Sequence, residues 1–554
     1  MPDSLTRRRF LAGLAATGVV TPWTGGGDMA PPEVTRAIVE AAATLAGLEF
    51  NDVELEDLVR DLKRDRKQWL QPSAVPNGVG PASGRVHAVH PPRPRSPSAV
   101  DPVAGSEVAM SDEDLAFLPA HDQARLIREG RLSSLRLTRL YLQRLEALNP
   151  KLLFAITILR DRALAQAEAA DRDLAAGVLR SALHGVPWGV KDLFAVPGAP
   201  TTWGAKPFET RVIDETATVV RQLDEAGCVL LAKLSCGALA MGDQWFGGRT
   251  RNPWNPERGS SGSSAGSASA VAAGCVGFAI GTETLGSIVS PSTRCGVTGL
   301  RPTFGRVSRA GCMALSWSMD KVGPMARNVR DCVLVLEIIG RPDAGDPDTE
   351  ARPFDAEPEW APEDVTIRFA KSAFRGRLAE FPASLAKMFE ARGFQIDESD
   401  FVFPSPAPRA RLMLDVEAAA AFDDLMREGA LRTLTAQGPR AWPRSMRAAH
   451  FVSGVDYVQS ARERHELKVA THDAMSPGDG PLVVITPSFA GNALLVTNLT
   501  GHPCVCLPAE FIEANGHRQP QSLSFIGRPF EERALCRAAE VFQEVTDHHR
   551  QRPF

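Results

Sequence analysis

Short apolar runs alternating with segments of helical period predict a layered α/β fold for this 554-residue chain, not an all-β or all-α one. Residues 188–190 and 229–232 are strand-like and bracket a helical stretch at 216–226. Much later, Val483-Val484-Ile485 and residues 505–507 read as buried strands, before a closing helix from Glu531 to about His548. With 44% apolar and 23% charged residues the chain has the balance of an ordinary globular protein, so a packed core is expected. The net charge of −4, with no basic tract after the opening segment, gives a nucleic-acid partner no electrostatic footing. A small molecule or short peptide is the expected ligand.

Taken in order, residues 1–30 read as a twin-arginine-type signal segment. Thr6-Arg7-Arg8-Arg9-Phe10-Leu11 precedes a mildly apolar run that ends near Val20. That predicts export to the periplasm or beyond, and a cytoplasmic protein if the segment is only a basic arm. The run is too short and too weak for a stable membrane span. Residues 31–71 form an N-terminal helical segment, read as one helix from Pro32 to about Gln71, with Asp61-Leu62-Lys63-Arg64-Asp65-Arg66 as a solvated face. Residues 72–110 are a Pro/Ser/Gly-rich linker, where Pro91-Pro92, Pro94 and Pro97 break any period. The main body spans 111–554. It opens on Ser111 and Asp114 as a capping box, then a helical pattern from Ala120 to about Leu148, closed by Asn149-Pro150. An Ala-rich helix at 160–176 stops at Gly177, and 401–480 looks mostly helical. All nine cysteines lie from Cys228 onward without a CxxC pair, which suits buried thiols better than disulfides or zinc. The eleven histidines contain no HExxH, so neither a metal nor a cofactor is expected.

The most unusual segment is Gly259-Ser260-Ser261-Gly262-Ser263-Ser264-Ala265-Gly266-Ser267. Alone, such a run reads as a flexible linker. Its flanks argue otherwise: Asn252-Pro253-Trp254-Asn255-Pro256 leads in as a rigid turn, and an Ala-rich helix at 268–273 leads out. Small residues between a turn and a helix start let a ligand approach the backbone, where the helix N-terminus favours an anion. No Gly-Lys-Ser/Thr follows, which argues against a phosphate loop. A second Gly/Ser segment is Gly281-Thr282-Glu283-Thr284-Leu285-Gly286-Ser287-Ile288, followed by Pro291, Cys295-Gly296 and Gly299-Leu300-Arg301-Pro302-Thr303-Phe304-Gly305. Upstream stands Gly185-Val186-Pro187-Trp188-Gly189-Val190-Lys191-Asp192. Here a lysine ends a hydrophobic strand, so its ammonium is carried inward, where burial disfavours charge.

In this order and spacing the three segments resemble the amidase signature family. The resemblance covers 111–554, including Pro508 and the Gly527-Arg528-Pro529-Phe530 turn. It implies a large mixed, twisted central β-sheet covered by helices on both faces, and hydrolysis of a carboxamide bond by way of an acyl-enzyme. Residue by residue, it implies Lys191 as base, Ser263 as the relay serine held through a cis peptide, and Ser287 as nucleophile. The N–H groups of Thr284, Leu285, Gly286 and Ser287 match the family's oxyanion hole, with Asp192, Ser264, Thr282 and Glu283 in support. The chemistry stands on its own terms. A serine hydroxyl needs a base, a neutral lysine serves where no His/Asp pair is apparent, and its pKa must fall several units from about 10.4.

Small-molecule or peptide amides are the implied substrates, and a homodimer stays open as an assembly. Two other readings share the scaffold: the glutaminase (A-type) subunit of a tRNA-dependent amidotransferase, and a catalytically silent binding protein. The twin-arginine start argues against the first, and the presence of Lys191, Ser263 and Ser287 against the second. Four positions depart from the family pattern. Leu285 replaces a glycine, must avoid positive φ, and narrows the pocket. Glu283 replaces an aspartate and Ala265 a glycine. Val289 replaces an arginine, losing a buried charge contact that Arg294 would have to restore. The pocket itself is expected from 237–244 and parts of 410–430 and 486–498.

Overall fold

The computed structural model describes residues 33–69, 110–354, 357–476, 478 and 480–554. The twin-arginine segment and nearly all of the linker lie outside the described residues. Eleven strands form one sheet. They are β1 Ala155–Ile158, β2 Pro187–Lys191, β3 Val229–Leu234, β4 Phe278–Glu283, β5 Thr298–Arg301 and β6 Lys321–Ala326. They continue with β7 Thr366–Phe369, β8 Gln395–Asp400, β9 Leu482–Pro487, β10 Cys504–Ala514 and β11 His517–Ile526. Their order across the sheet is β1-β3-β2-β4-β6-β5-β10-β11-β9-β7-β8.

The sheet is mixed, as expected. β2 runs parallel to both β3 and β4, and β7 parallel to both β8 and β9, while β4–β6 and β10–β11 are antiparallel. Every residue of β2, β3, β4 and β6 is buried. A strand buried on alternate sides must be covered on both, so helices close both faces of this half of the sheet. Among the described residues no helix is long and apolar enough to cross a membrane. All nine cysteines are free and all but Cys312 are buried.

Several local expectations change. The N-terminal segment is two helices, Arg36–Leu45 and Asp52–Trp69. Gly47 breaks them at φ +67, and Asn51 and Glu54 exchange hydrogen bonds of 3.0 Å as a capping box. Asp61 is not on a solvated face: it is buried and takes a two-pronged contact at 2.8 Å from Arg444. The pattern read as one helix after Ala120 splits at Gly130 into Ala120–Arg128 and Ser134–Leu152, with Pro150 inside the second helix. The β10–β11 hairpin went unread although Asn515-Gly516, both at positive φ, is the turn that such hairpins favour.

Candidate active site

β2 delivers Lys191 to the centre of the molecule, where the residue is fully buried. Its Nζ stands 2.8 Å from Ser263 Oγ, 2.8 Å from Thr282 Oγ1 and 3.1 Å from Ser264 Oγ. Among the described residues no carboxylate lies within ion-pair distance of this amine. Burial without a counter-charge pulls its pKa down to about 8. The adjacent carboxylate is turned elsewhere. Asp192 pairs with Lys233 at 2.7 Å and accepts the Thr202 N–H at 2.9 Å and the Thr202 hydroxyl. These contacts tie it to the loop at 200–204.

The glycine-rich segment brings Ser263 to the lysine through a cis Gly262–Ser263 peptide. Gly262 has to be glycine, because a Cβ there would sit 1.9 Å from the carbonyl oxygen of Gly242. Ser264 starts the helix Ala265–Ala272 and ties the segment to β4: it accepts the Thr282 N–H at 3.1 Å and donates to the Thr282 carbonyl at 3.0 Å. Thr282 thus belongs to the hydroxyl network around Lys191. Ser287 lies alongside, its carbonyl accepting the Ser264 N–H at 3.1 Å. Among the described residues no hydrogen bond joins the Ser263 and Ser287 hydroxyls. Lys191 and Ser263 are thus hydrogen-bonded, whereas Ser263 and Ser287 are not.

Beyond β4 the chain turns sharply. Gly286 takes φ +83, while Leu285 keeps negative φ, as its side chain requires, and is partly buried. Among the described residues no acceptor meets the N–H groups of Leu285, Gly286 or Ser287. Consecutive free N–H groups in a turn are built to receive an anion. Glu283 holds the far side of the turn, accepting the N–H groups of Ile288 at 2.8 Å and Val289 at 2.9 Å. Burial alone would raise its pKa, but the Arg301 guanidinium 2.7 Å away holds it at about 2. Asn498 donates to the same carboxylate at 2.7 Å. With Val289 at the start of the following helix, the buried charge partner of Glu283 is Arg301. Arg294 does not take that part: its guanidinium stands over the Phe489 ring, 5.8 Å from the centroid.

Arg301, Asn498, Asp320 and Lys321 are site residues that sequence reasoning missed. A charged residue closing a short strand-like run, as Arg301 does, was the available signal, since such a charge is rarely buried without a partner. Asp320 accepts the Thr284 hydroxyl and the N–H groups of Leu315 at 2.7 Å and Ser316 at 2.9 Å. A cavity of about 290 Å³ borders Thr282 and Thr284, with Leu193, Met313, Leu315 and Trp317 on its walls. It is lined mostly by 309–322 and 345–348; of the three segments expected to shape the pocket, only Ala240 reaches it.

The family model described as Amidase matches residues 136–475. The chain is 34% identical over 482 residues to the A-type subunit of the glutamyl-tRNA(Gln) amidotransferase of Roseiflexus castenholzii, covering 78% of this chain and 96% of that one. It is equally 34% identical, over 475 residues, to a Mycobacterium tuberculosis protein provisionally named amidase AmiD, covering 80% and 97%. Among solved structures, the peptide amidase of Stenotrophomonas maltophilia matches with a TM-score of 0.66 and 27% identity, covering 77% of this chain and 96% of that one. A bacterial aryl acylamidase matches with a TM-score of 0.68 at 22% identity, covering 80% and 100%, which shows the fold alone.

Proposed function

Since the chain belongs to the amidase family and is an amidohydrolase, we propose that it cleaves a carboxamide C–N bond through an acyl-enzyme on Ser287, with Lys191 as base and Ser263 as proton relay. The observation that carries this reading is the buried Lys191 amine, ringed by hydroxyl oxygens and without a counter-anion. With a pKa of about 8, roughly a tenth of it is neutral at pH 7. The neutral amine takes the Ser263 proton as Ser263 takes that of Ser287, and the Ser287 Oγ attacks the carbonyl carbon. The tetrahedral oxyanion is received by the N–H groups of the 284–287 turn. On collapse the C–N bond breaks, and Ser263 passes its proton to the leaving nitrogen while Lys191 resupplies Ser263. Water then attacks the acyl ester, its proton returning along the same path to restore the Ser287 hydroxyl and release the acid. The open Ser263–Ser287 contact fits a free enzyme, since catalytic hydrogen bonds often tighten only around substrate.

The similarity to A-type amidotransferase subunits supports a second reading, in which glutamine is the amide and a partner protein receives the ammonia. Co-purification with a stable partner protein would favour it. The peptide amidase likeness supports a peptide or small-molecule amide as substrate. Export by the twin-arginine route and a homodimer complete the proposal; cell fractionation and light scattering test them. For the mechanism, the test is the rate of Ser287 labelling by a sulfonyl fluoride against pH. The rate rises through about pH 8 in the wild type; in Lys191→Ala it vanishes near neutrality and partly recovers in alkali. Labelling indifferent to Lys191→Ala would mean that another group is the base.

A further inference from the structure

Lys321 opens β6 directly opposite Glu283 on β4, and only 2% of its surface is exposed. Among the described residues it has no carboxylate within ion-pair distance. Its Nζ donates instead to two main-chain carbonyls, that of Met319 and that of Thr284, the latter at 3.4 Å. Burial pushes its pKa well below the usual lysine range, and the amine carries enough N–H groups for both carbonyls.

The carbonyl of Thr284 and the N–H of Leu285 belong to one planar trans peptide and point in opposite directions. A donor fixed on the carbonyl therefore aims that N–H away from itself, and polarises the peptide so that its N–H is a stronger donor. The neighbouring residue acts on the same site, since Asp320 takes the Thr284 hydroxyl. Residue 284 is thus gripped by its side chain and its carbonyl from two consecutive residues, while Glu283 grips the N–H groups of 288 and 289. Between these anchors lie the three N–H groups without an acceptor.

We propose that Lys321 is a positioning residue of the oxyanion hole, holding the Thr284–Leu285 peptide so that the Leu285 N–H faces the developing oxyanion. The inference rests on the reading of Ser287 as nucleophile. It also explains how a leucine serves in this turn: the peptide plane is set from behind by Lys321.

The test is the kinetics of phosphonylation by a fluorophosphonate, in which serine attack puts charge on a phosphoryl oxygen lying in the hole and expels fluoride. Wild type, Lys321→Met, Lys321→Gln and Lys321→Arg are compared, with folding checked by thermal melting and Ser287→Ala as control. Lys321→Met should slow the maximal labelling step by about ten- to a hundredfold, somewhat less than loss of a direct oxyanion donor, and leave the half-saturating probe concentration within twofold. Lys321→Arg, which keeps the donors, should recover most of the rate. If Lys321→Met does not fold, Lys321→Gln, too short to span both carbonyls, takes its place with the same expectation. A folded Lys321→Met or Lys321→Gln with a wild-type maximal rate overturns the inference. So does an effect confined to half-saturation, which would make Lys321 a wall of the adjoining cavity. Wild-type protein that is not labelled at Ser287 instead sinks the underlying reading.

Discussion

In the proposed mechanism Lys191 sets the pH dependence of the site. There its amine has to be neutral to take the Ser263 proton, and burial brings its pKa to about 8. Activity measured as kcat/KM therefore rises with pH and levels off above about 8; a profile flat from pH 6 to 9 would contradict this. Ser263→Ala removes the relay while leaving Lys191 and Ser287 in place. It should lower kcat by about 10²–10⁴ with little change in KM, as steady-state kinetics on a chromogenic anilide would report. These residues were legible because each sits in a short motif whose composition is itself odd: a lysine closing an apolar strand, serines packed among glycines. Lys321 and Arg301 were not, because their importance comes from cross-sheet register. Lys321 matters because its register opposite Glu283 brings its amine to the Thr284 carbonyl, and Arg301 because it meets the Glu283 carboxylate from β5.

At the scale of elements, the turn after β4 is held by charge that another strand, β5, supplies. Glu283 has a pKa near 2 against an ordinary 4.5, so its ionised form stabilises the fold by roughly 3 kcal/mol. The shift is downward, so that stability is fully present above about pH 4.5 and is lost as pH falls from there through about 2. Acid unfolding followed by circular dichroism should show Glu283→Gln destabilised at neutral pH but converging on the wild type near pH 2; a constant difference at all pH values would contradict it. The β10–β11 hairpin offers a simpler check. Gly516, at φ +75, has open space where a side chain would go, so Gly516→Ala meets only backbone strain. It should cost about 1 kcal/mol in melting experiments without touching activity. The Asn-Gly pair announces that turn in the sequence, whereas the breaks at Gly47 and Gly130 were hidden because helical period continued on both sides of them.

At the scale of the whole molecule, the N-terminal helices are docked by ion pairs on two buried carboxylates. Glu54 takes Arg432 at 2.8 Å and also Arg447, and Asp61 takes Arg444. An apolar patch of Val39, Leu55, Leu58, Leu62 and Ala448 lies beneath. Glu54→Ala strands the buried Arg447, while the half-exposed Arg432 turns to water, and should destabilise the protein by about 3 kcal/mol, seen as a lower Tm; an unchanged Tm would mean that the pairs contribute nothing net. This docking was illegible in the sequence, since the charged run at 61–66 fits a solvated face equally well and the partner of Asp61, Arg444, lies 383 residues away. The overall α/β architecture was legible because its central strands are long enough in apolar residues to need cover on both sides. Whether Ser287 is the nucleophile of the assembled molecule decides the mechanism, and peptide mapping by mass spectrometry after fluorophosphonate treatment reads it out. A single adduct on the peptide carrying Ser287, absent from Ser287→Ala, is the predicted result. No adduct, or one on another residue, would contradict it.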